Sequence, residues 1–278
     1  MAKLELLMSV MAQNDFALPK QSRVNGDLLM INQCDSEYLR EEIIDGHNWR
    51  MISTKERGLS RSRNMALDNA IGDICKLCDD DEILVDDYND IILQAYNDLP
   101  DADVIVFNLN RINYRMKKRY YKIESIRPAP TYRSYGSPMI TFKLNRIREH
   151  NIRFHEEFGS GGKFGGGEDN LFIRDIRMAG LKMYEHPSVI STLDYGRFGS
   201  KWFHGYDDRY FYNLGVFHEY VNPGKWISNI IWGLYQVVKL RKEKINPITV
   251  VKWRLTGAKG YRNGKLSYEE YINTLKNG

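Results

Sequence analysis

The run Asp79, Asp80, Asp81 and Glu82 follows directly on the apolar stretch ICKLC, so carboxylates gather where a buried strand ends. In open α/β sheets that carboxyl edge is where ligands bind. Two carboxylates 4 Å apart repel by about 1 kcal/mol in bulk water and about 4 kcal/mol at the lower dielectric of a crevice. A divalent cation is the natural relief, and hard oxygen ligands suit Mg²⁺ or Mn²⁺ completed by phosphate oxygens. Upstream, the segment from Arg57 to Asn64 brings Arg57, Arg61, Arg63, Ser60 and Ser62 to the start of a helix. Backbone N–H groups and the positive dipole end make such a start an anion site, to which arginine adds bidentate pairing with phosphate. A diphosphate could therefore be held between this helix and a cation on the acidic run. Taken singly, either feature also reads as solvated surface charge.

The elements that must position these groups alternate short apolar runs with helical patterns, the signature of βα units stacked around a mainly parallel sheet. Expected strands are Leu4 to Met11, Leu28 to Asn32, Trp49 to Ser53, Ile74 to Cys78 and Val104 to Leu109. Between the third and fourth, GLSRSRNMALDNAIGD predicts a helix with Leu59, Met65, Ala66, Leu67 and Ala70 on its apolar side and Gly72 as its stop. A second helix is expected from Asp86 to Leu99, with Tyr88, Ile91, Ile92, Ala95 and Tyr96 facing inward. A third runs from Glu168 to Ala179 on Leu171, Phe172, Ile176 and Ala179. Residues 110 to 150 read as hairpin or loop, punctuated by Pro128, Pro130 and Pro138.

At 278 residues and 42% hydrophobic content the chain can bury one large core, which argues against disorder. Charge is uneven: residues 224 to 278 carry 11 Lys/Arg against 3 Glu, a basic tail on a slightly acidic body. Cys75 and Cys78 have C-x-x-C spacing, but on a strand residues three apart face opposite sides, so they read as small buried thiols. An odd cysteine count suits a reducing cytoplasm. The opening MAKLELLMSVMAQ lacks the basic region and cleavage site of a secretory leader, and no run approaches the roughly 18 apolar residues of a membrane span.

The block GLSRSRNMALDNAIGDICKLCDDD, Gly58 to Asp81, closely resembles the central signature of family 2 glycosyltransferases. In these a G-x-S-x-x-R-N helix precedes a strand ending in Asp-x-Asp, and a Gly-Glu-Asp sequence follows downstream, here Gly167, Glu168 and Asp169. The resemblance spans roughly residues 4 to 200. It implies a GT-A-type, Rossmann-like mixed sheet flanked by helices, forming a catalytic domain over 1–222, with a basic helical extension over 223–278. It further implies an inverting transfer from a nucleotide sugar, a UDP-sugar, to a hydroxyl of a glycan or lipid-linked glycan in cell-surface or capsular polysaccharide synthesis. By this resemblance Asp81 is the principal metal ligand for Mg²⁺ or Mn²⁺. Asp79 and Asp80 bind the donor and support the metal. Arg63 and Asn64, helped by Arg61, orient the diphosphate, with Glu168 also on the donor. Asp35 meets the nucleobase and Asp169 is the catalytic base. The chain departs from the pattern in two places. Met11, Ala12, Gln13 and Asn14 replace the usual proline-threonine-tyrosine-asparagine ending of the first strand, and the late metal-binding histidine is missing, which leaves Asp194 or His204 as substitutes.

Other features stay open at this stage. The glycine-rich stretch Gly159 to Gly167 reads as a mobile cover over donor and acceptor. Tyr132, Tyr135, Trp202 and Tyr206 suit either sugar stacking or core packing. Trp226, Ile227, Ile230, Ile231, Leu234 and Val238 share one helical side before KLRKEK, which fits a packed terminal helix or one lying on the anionic inner face of the plasma membrane. A continuous basic groove for nucleic acid is not apparent. Two competing functions share the motifs in part: a sugar nucleotidyltransferase, which would advertise a glycine-rich basic loop where AQNDFALPKQSR stands, and a non-catalytic nucleotide-sugar or glycan-binding module, for which Asp169 would be superfluous.

Overall fold

The computed structural model describes residues 2–113, 121–196 and 205–276. It contains two compact units, Met1–Glu156 with Glu168–Ser200 and Glu157–Gly167 with Lys201–Gly278.

In chain order the first unit consists of β1 (Leu4–Met11), α1 (Ala17–Gln21), β2 (Asp27–Gln33), β3 (Tyr38–Ile44), β4 (His47–Thr54), α2 (Leu59–Asn69), β5 (Ile74–Cys78) and β6 (Glu82–Leu84). It continues through α3 (Tyr88–Asp98), β7 (Val104–Ile112), β8 (Arg127–Pro128), β9 (Ile140–Lys143), α4 (Leu144–Glu149), α5 (Glu168–Met178) and β10 (Met183–Asp194). One sheet holds all the strands, ordered β3-β4-β2-β1-β5-β9-β7-β10-β6, with β8 beside β10. The four strands β4, β2, β1 and β5 run parallel. β1, β2 and β5 are buried along nearly their whole length, as strands covered on both faces are, whereas β4 alternates buried and half-buried residues. Strand β9 enters antiparallel between β5 and β7, which turns the sheet into the mixed, helix-flanked type expected from the sequence.

All five expected strands form, most of them a residue or more longer than anticipated. The unexpected ones lack a strong apolar signature. Strand β3, YLREEII, is exposed or half-buried along its length, as suits a charged edge strand that discourages further pairing. Strand β10 is interrupted by a register shift between His186 and Val189, around Pro187, and β9 is only four residues long. The stretch expected as hairpin or loop therefore supplies β8, β9, a 3₁₀ turn at Ser137–Met139 and α4.

Helix α2 extends the expectation more instructively. Leu59 and Met65 are only half-buried, while Ser60, Ser62, Arg63 and Asn64 are buried with Ala66 and Leu67. Ala66, Leu67 and Ala70 are buried as the periodicity expects and Met65 packs against the core; the inward face is wider than expected because the polar residues find partners inside. Burial of a polar group is tolerated when it is hydrogen-bonded. Cys75 and Cys78 are buried free thiols, as expected, and burial pushes both well above the usual thiol pKa.

The second unit contains α6 (Asp208–Val221), α7 (Trp226–Lys239), α8 (Pro247–Arg262) and α9 (Tyr268–Lys276). Helices α6 and α8 touch backbone to backbone: a Cβ on Gly257 would lie 2.0 Å from the Tyr212 carbonyl oxygen, and one on Gly215 would lie 1.9 Å from that of Arg254. The glycine-rich stretch is anchored in this unit. Fully buried Phe164 packs on Phe158 and Tyr261, its N–H donates to Glu157 O at 2.7 Å, and its carbonyl accepts from the Gly159 N–H at 3.0 Å. Among the described residues no helix is long and apolar enough to cross a membrane.

Candidate active site

The acidic run occupies the turn joining β5 to β6. Glu82 is fully buried and does structural work. It accepts from the equally buried Lys76 Nζ at 2.5 Å, and its other oxygen lies 3.4 Å from the Asp79 N–H. A further tie links the turn to β10, where the Asp194 N–H donates to Asp81 O at 3.1 Å. The lysine–glutamate pair thus fixes the main chain while Asp79, Asp80 and Asp81 stay outside the apolar core.

Arg63, on α2, is the junction of the site. Its side chain is only 4% exposed, and its fork reaches three groups from three distant stretches of chain. Nη1 donates to Asp169 Oδ1 at 2.8 Å; Nη2 donates to Asp79 Oδ1 at 2.9 Å and to Ser137 Oγ at 2.6 Å. Glu168 lies farther, at 4.0 Å. Ser137 closes the ring, because its N–H donates to Asp169 Oδ2 at 3.0 Å and its hydroxyl to Asp79 Oδ2 at 3.1 Å. Burial would depress the arginine's pKa, yet Asp169, Asp79 and Glu168 together raise it. The guanidinium is permanently charged.

Local structure explains why these groups meet. Gly58 starts α2 at φ +120°, a left-handed value that favours glycine, and its N–H donates to Gln33 Oε1 at 2.7 Å. Ser62 is tied to Ser9 on β1 at 2.8 Å. Asn64 clasps the Phe154 main chain in both directions, at 2.8 and 2.9 Å. The irregular segment that delivers Ser137 is pinned by buried Glu185 of β10, which accepts from Arg127, Arg133 and the Tyr135 hydroxyl.

The carboxylates carry the electrostatic tension of the site. Burial, then the charges of Asp79, Asp80 and Glu82, push Asp81 up to about 7, and burial with Asp79 also raises Asp80. Glu168 is likewise pushed up to about 7 by burial and by Asp169, with Arg63 opposing. Asp169 is raised by burial, against the pull of Arg63 and the Ser137 N–H. Arg63 touches Asp169 directly at 2.8 Å and Glu168 only at 4.0 Å, so its charge opposes the rise more closely at Asp169. Among the described residues no three or more His, Cys, Asp or Glu side chains group to hold a metal. The acidic turn still fits a hard cation: Asp81 and Asp79 would hold Mg²⁺ or Mn²⁺, diphosphate oxygens would complete the shell, and the ion would supply positive charge at the diphosphate.

The structure brings Arg63, Asp79, Glu168 and Asp169 together, with Asp80 and Asp81 on the same turn. Other candidates stand outside the junction. Asp35 is fully exposed and pairs with Arg57 at 2.6 Å, and Arg61 pairs with Glu156 at 3.3 Å. Every arginine of the basic helix start thus has a carboxylate partner. Asp194 spends one carboxylate oxygen on Asn113 Nδ2 and the Gly196 N–H. His204 and Trp202 lie outside the described residues. Tyr135 is a core residue bound to Glu185, while Tyr132 is exposed. Sequence reasoning missed Ser137, for which only the Gly136-Ser137-Pro138 turn composition was a cue. It also missed a cleft of about 180 Å³ lined by Gln13, Ala17, Leu18, Gln21 and Asp80. Buried Asn32 shapes that cleft by exchanging hydrogen bonds of 2.9 and 2.7 Å with the Gln13 main chain.

Comparison with known proteins agrees with this fold. The family model described as Glycosyl transferase family 2 matches residues 17–166, more than half of the chain, and the chain belongs to that family; it is a glycosyltransferase. Its fold is similar to that of S. aureus TarS, a GT-A protein. The crystal structure of TarS 1-349 in complex with UDP-GlcNAc superposes with a TM-score of 0.60 at 13% identity, covering 95% of this chain and 92% of that one. The complex of the same fragment with UDP gives 0.58 at 12%, over 95% and 92%. A longer TarS structure gives 0.56 at 13%, over 84% of this chain and 43% of that one. A sequence search of curated proteins finds no match.

Proposed function

We propose that the chain is an inverting glycosyltransferase. It moves a sugar from a nucleotide-diphosphate sugar, a UDP-sugar, to a hydroxyl of a glycan or lipid-linked glycan in cell-surface or capsular polysaccharide synthesis. It works in the cytoplasm at the inner face of the plasma membrane, with catalysis in residues 1–222 and a basic helical extension over 223–278. The observation that carries the reading is the Arg63 junction, in which one buried guanidinium joins Asp79 of the acidic turn to Asp169 of α5. That arrangement sets a diphosphate-side carboxylate and a candidate base a few ångströms apart while cancelling part of their repulsion. The TarS complexes with UDP-GlcNAc and UDP favour a uridine donor. The cleft beside Asp80 and Gln13 is our candidate for the nucleoside half.

In this reading the acceptor oxygen attacks the anomeric carbon as the bond from that carbon to the diphosphate oxygen breaks. The bonding pair leaves on the diphosphate, the acceptor proton passes to Asp169, and attack opposite the leaving group inverts the configuration. Arg63 keeps Asp169 ionised and aligned for that transfer. Ser137 positions both carboxylates from outside the reacting atoms.

The test is a panel of nucleotide sugars incubated with the chain, Mn²⁺ or Mg²⁺ and candidate acceptors, read as nucleoside diphosphate released. Pyrophosphate release would favour a nucleotidyltransferase instead, and donor binding without turnover with any acceptor a binding module. General-base assistance is worth about 10² to 10⁴ in rate. Asp169→Asn should therefore lower kcat by that order and leave donor Kd nearly unchanged, and unaltered kcat would remove Asp169 from the role. Chelation by EDTA should abolish release, and Asp81→Asn should raise the metal concentration needed to restore it.

A further inference from the structure

Helix α7 is oriented inside out. Its buried residues are Asn229 and Gly233, while Ile227, Ile231, Leu234 and Val238, spaced i, i+4, i+7 and i+11, are 48% to 65% exposed. That spacing draws a single apolar stripe along one helical face. The inward face is held by polar contacts. Buried Arg254 of α8 donates from Nε to the Asn229 carbonyl at 3.2 Å and to its side-chain oxygen at 2.9 Å, and from Nη1 to Gln236 Oε1 at 2.8 Å. Ser228 bonds His218 of α6 at 2.8 Å. A Cβ on Gly233 would press on Arg254 Cδ at 3.1 Å, so the helix sits close on this side. Rotating the apolar stripe inward would break these bonds and strand a buried guanidinium, a costly state for a charge. The outward aliphatic face is therefore specified by the packing, and among the described residues nothing covers it.

We infer that this face of α7 is a docking surface for an anionic lipid bilayer, with the helix lying in the interfacial plane. The occupant follows from what borders the stripe. Exposed Trp226, Trp232 and Tyr235 flank it, the aromatic types that prefer the headgroup level. Lys225 precedes it, and Lys239, Arg241, Lys242 and Lys244 follow, all exposed and joined by a single acid, Glu243. Residues 223–240 contain no Asp or Glu. A one-signed basic rim around an aliphatic stripe matches anionic headgroups over acyl chains. At 14 residues the helix is too short to span and long enough to lie flat. The inference deepens the membrane-side part of the proposed function and rests on it for the use of the contact, but it is measured without donor or turnover.

The experiment is flotation of the full chain with phosphatidylglycerol-containing vesicles and with pure phosphatidylcholine vesicles, at low and high salt, beside light scattering for oligomeric state. Capture by the anionic vesicles, weakened by salt, is expected. Ile227→Asp with Ile231→Asp should lower capture by at least about tenfold, as should replacing Lys239, Arg241, Lys242 and Lys244 by Gln. The thermal midpoint and donor hydrolysis should stay unchanged. Absence of capture, or capture indifferent to both sets of substitutions, overturns the inference. So does a dimer dissociated by the Ile pair with no vesicle binding, which would make a second copy the occupant. If the unsubstituted chain hydrolyses donor but is not captured by anionic vesicles, this inference alone fails; if it is captured but hydrolyses no donor, only the catalytic reading fails.

Discussion

Helix α2 turns Ser60, Ser62, Arg63 and Asn64 inward, and helix α7 turns Ile227, Ile231, Leu234 and Val238 outward. Both depart from the ordinary amphipathic rule, in opposite directions and through the same agent, a buried arginine. Around α2 the guanidinium of Arg63 meets carboxylates from two other stretches of chain, so charge gathers in the interior. Beneath α7 the guanidinium of Arg254 donates to amide oxygens of Asn229 and Gln236. Burial accordingly lowers its pKa to about 10, whereas the carboxylates around Arg63 raise that arginine's pKa. The comparison teaches that a helix is oriented by whichever face has the more demanding partners. Apolar residues, which lose only area-proportional energy when exposed, yield to polar groups that must be satisfied.

The comparison breaks most visibly at Arg63. Arg63→Met leaves Asp79 and Asp169 facing each other without their shared cation, and removing one partner of a buried ion pair costs about 3 to 5 kcal/mol. Chemical denaturation should show a loss of that size, together with collapse of turnover. A loss under about 1 kcal/mol, on the scale of an exposed pair, would show that the junction is not buried in solution. Ser137→Ala comes next. It deletes the hydroxyl that touches Arg63 and Asp79 but keeps the N–H on Asp169, so about 1 kcal/mol should go, with kcat falling more than KM rises.

The parallel strands and the charged motifs beside them were largely legible in the residues, and the direction of the apolar face of α7 was not. Parallel strands buried on both faces announce themselves as continuous apolar runs, which is why Leu4–Met11 and Ile74–Cys78 matched their observed limits. The acidic run and the Arg63-Asn64 pair were readable because charge at a strand end or a helix start has few structural uses. Ser137 was not, since a single hydroxyl in an irregular segment acquires meaning only when Glu185, far along the chain, pins that segment. The inward face of α2 was read only in part for a related reason: periodicity found Ala66, Leu67 and Ala70 but cannot see that Arg63 and Asn64 have partners more than a hundred and about ninety residues away, at Asp169 and Phe154. On α7 the stripe itself was evident, but its direction depended on Arg254, in another helix.

Titration offers a finer test of the α2 side. Glu168 is raised from 4.5 to about 7 by burial first and by Asp169 second, so the folded state binds a proton there that the unfolded chain releases. Its contribution is fully present below pH 4.5 and is lost as pH rises through about 7. Stability measured by denaturant should therefore decline across that window, and Glu168→Gln, neutral throughout, should make the decline shallower. Asp80, Asp81 and Asp169 are raised in the same direction, so part of the slope persists. An unchanged slope would mean that Glu168 does not titrate there.

The smallest effect is expected on α7 and is informative because it is small. Ile231 is 61% exposed, so Ile231→Gln removes little buried area, and surface substitutions of this kind stay within about 0.5 kcal/mol. Gly233→Leu, two residues away on the opposite side, must push a branched side chain into Arg254 and Val250. Overpacking of that sort costs about 1 to 3 kcal/mol. The pair of variants reads the direction of the helix without reference to any ligand. If Ile231→Gln proved the more damaging of the two, the stripe would face inward in solution. The polar contacts of Arg254 would then have failed to set the orientation, and the parallel between the two buried arginines would be lost.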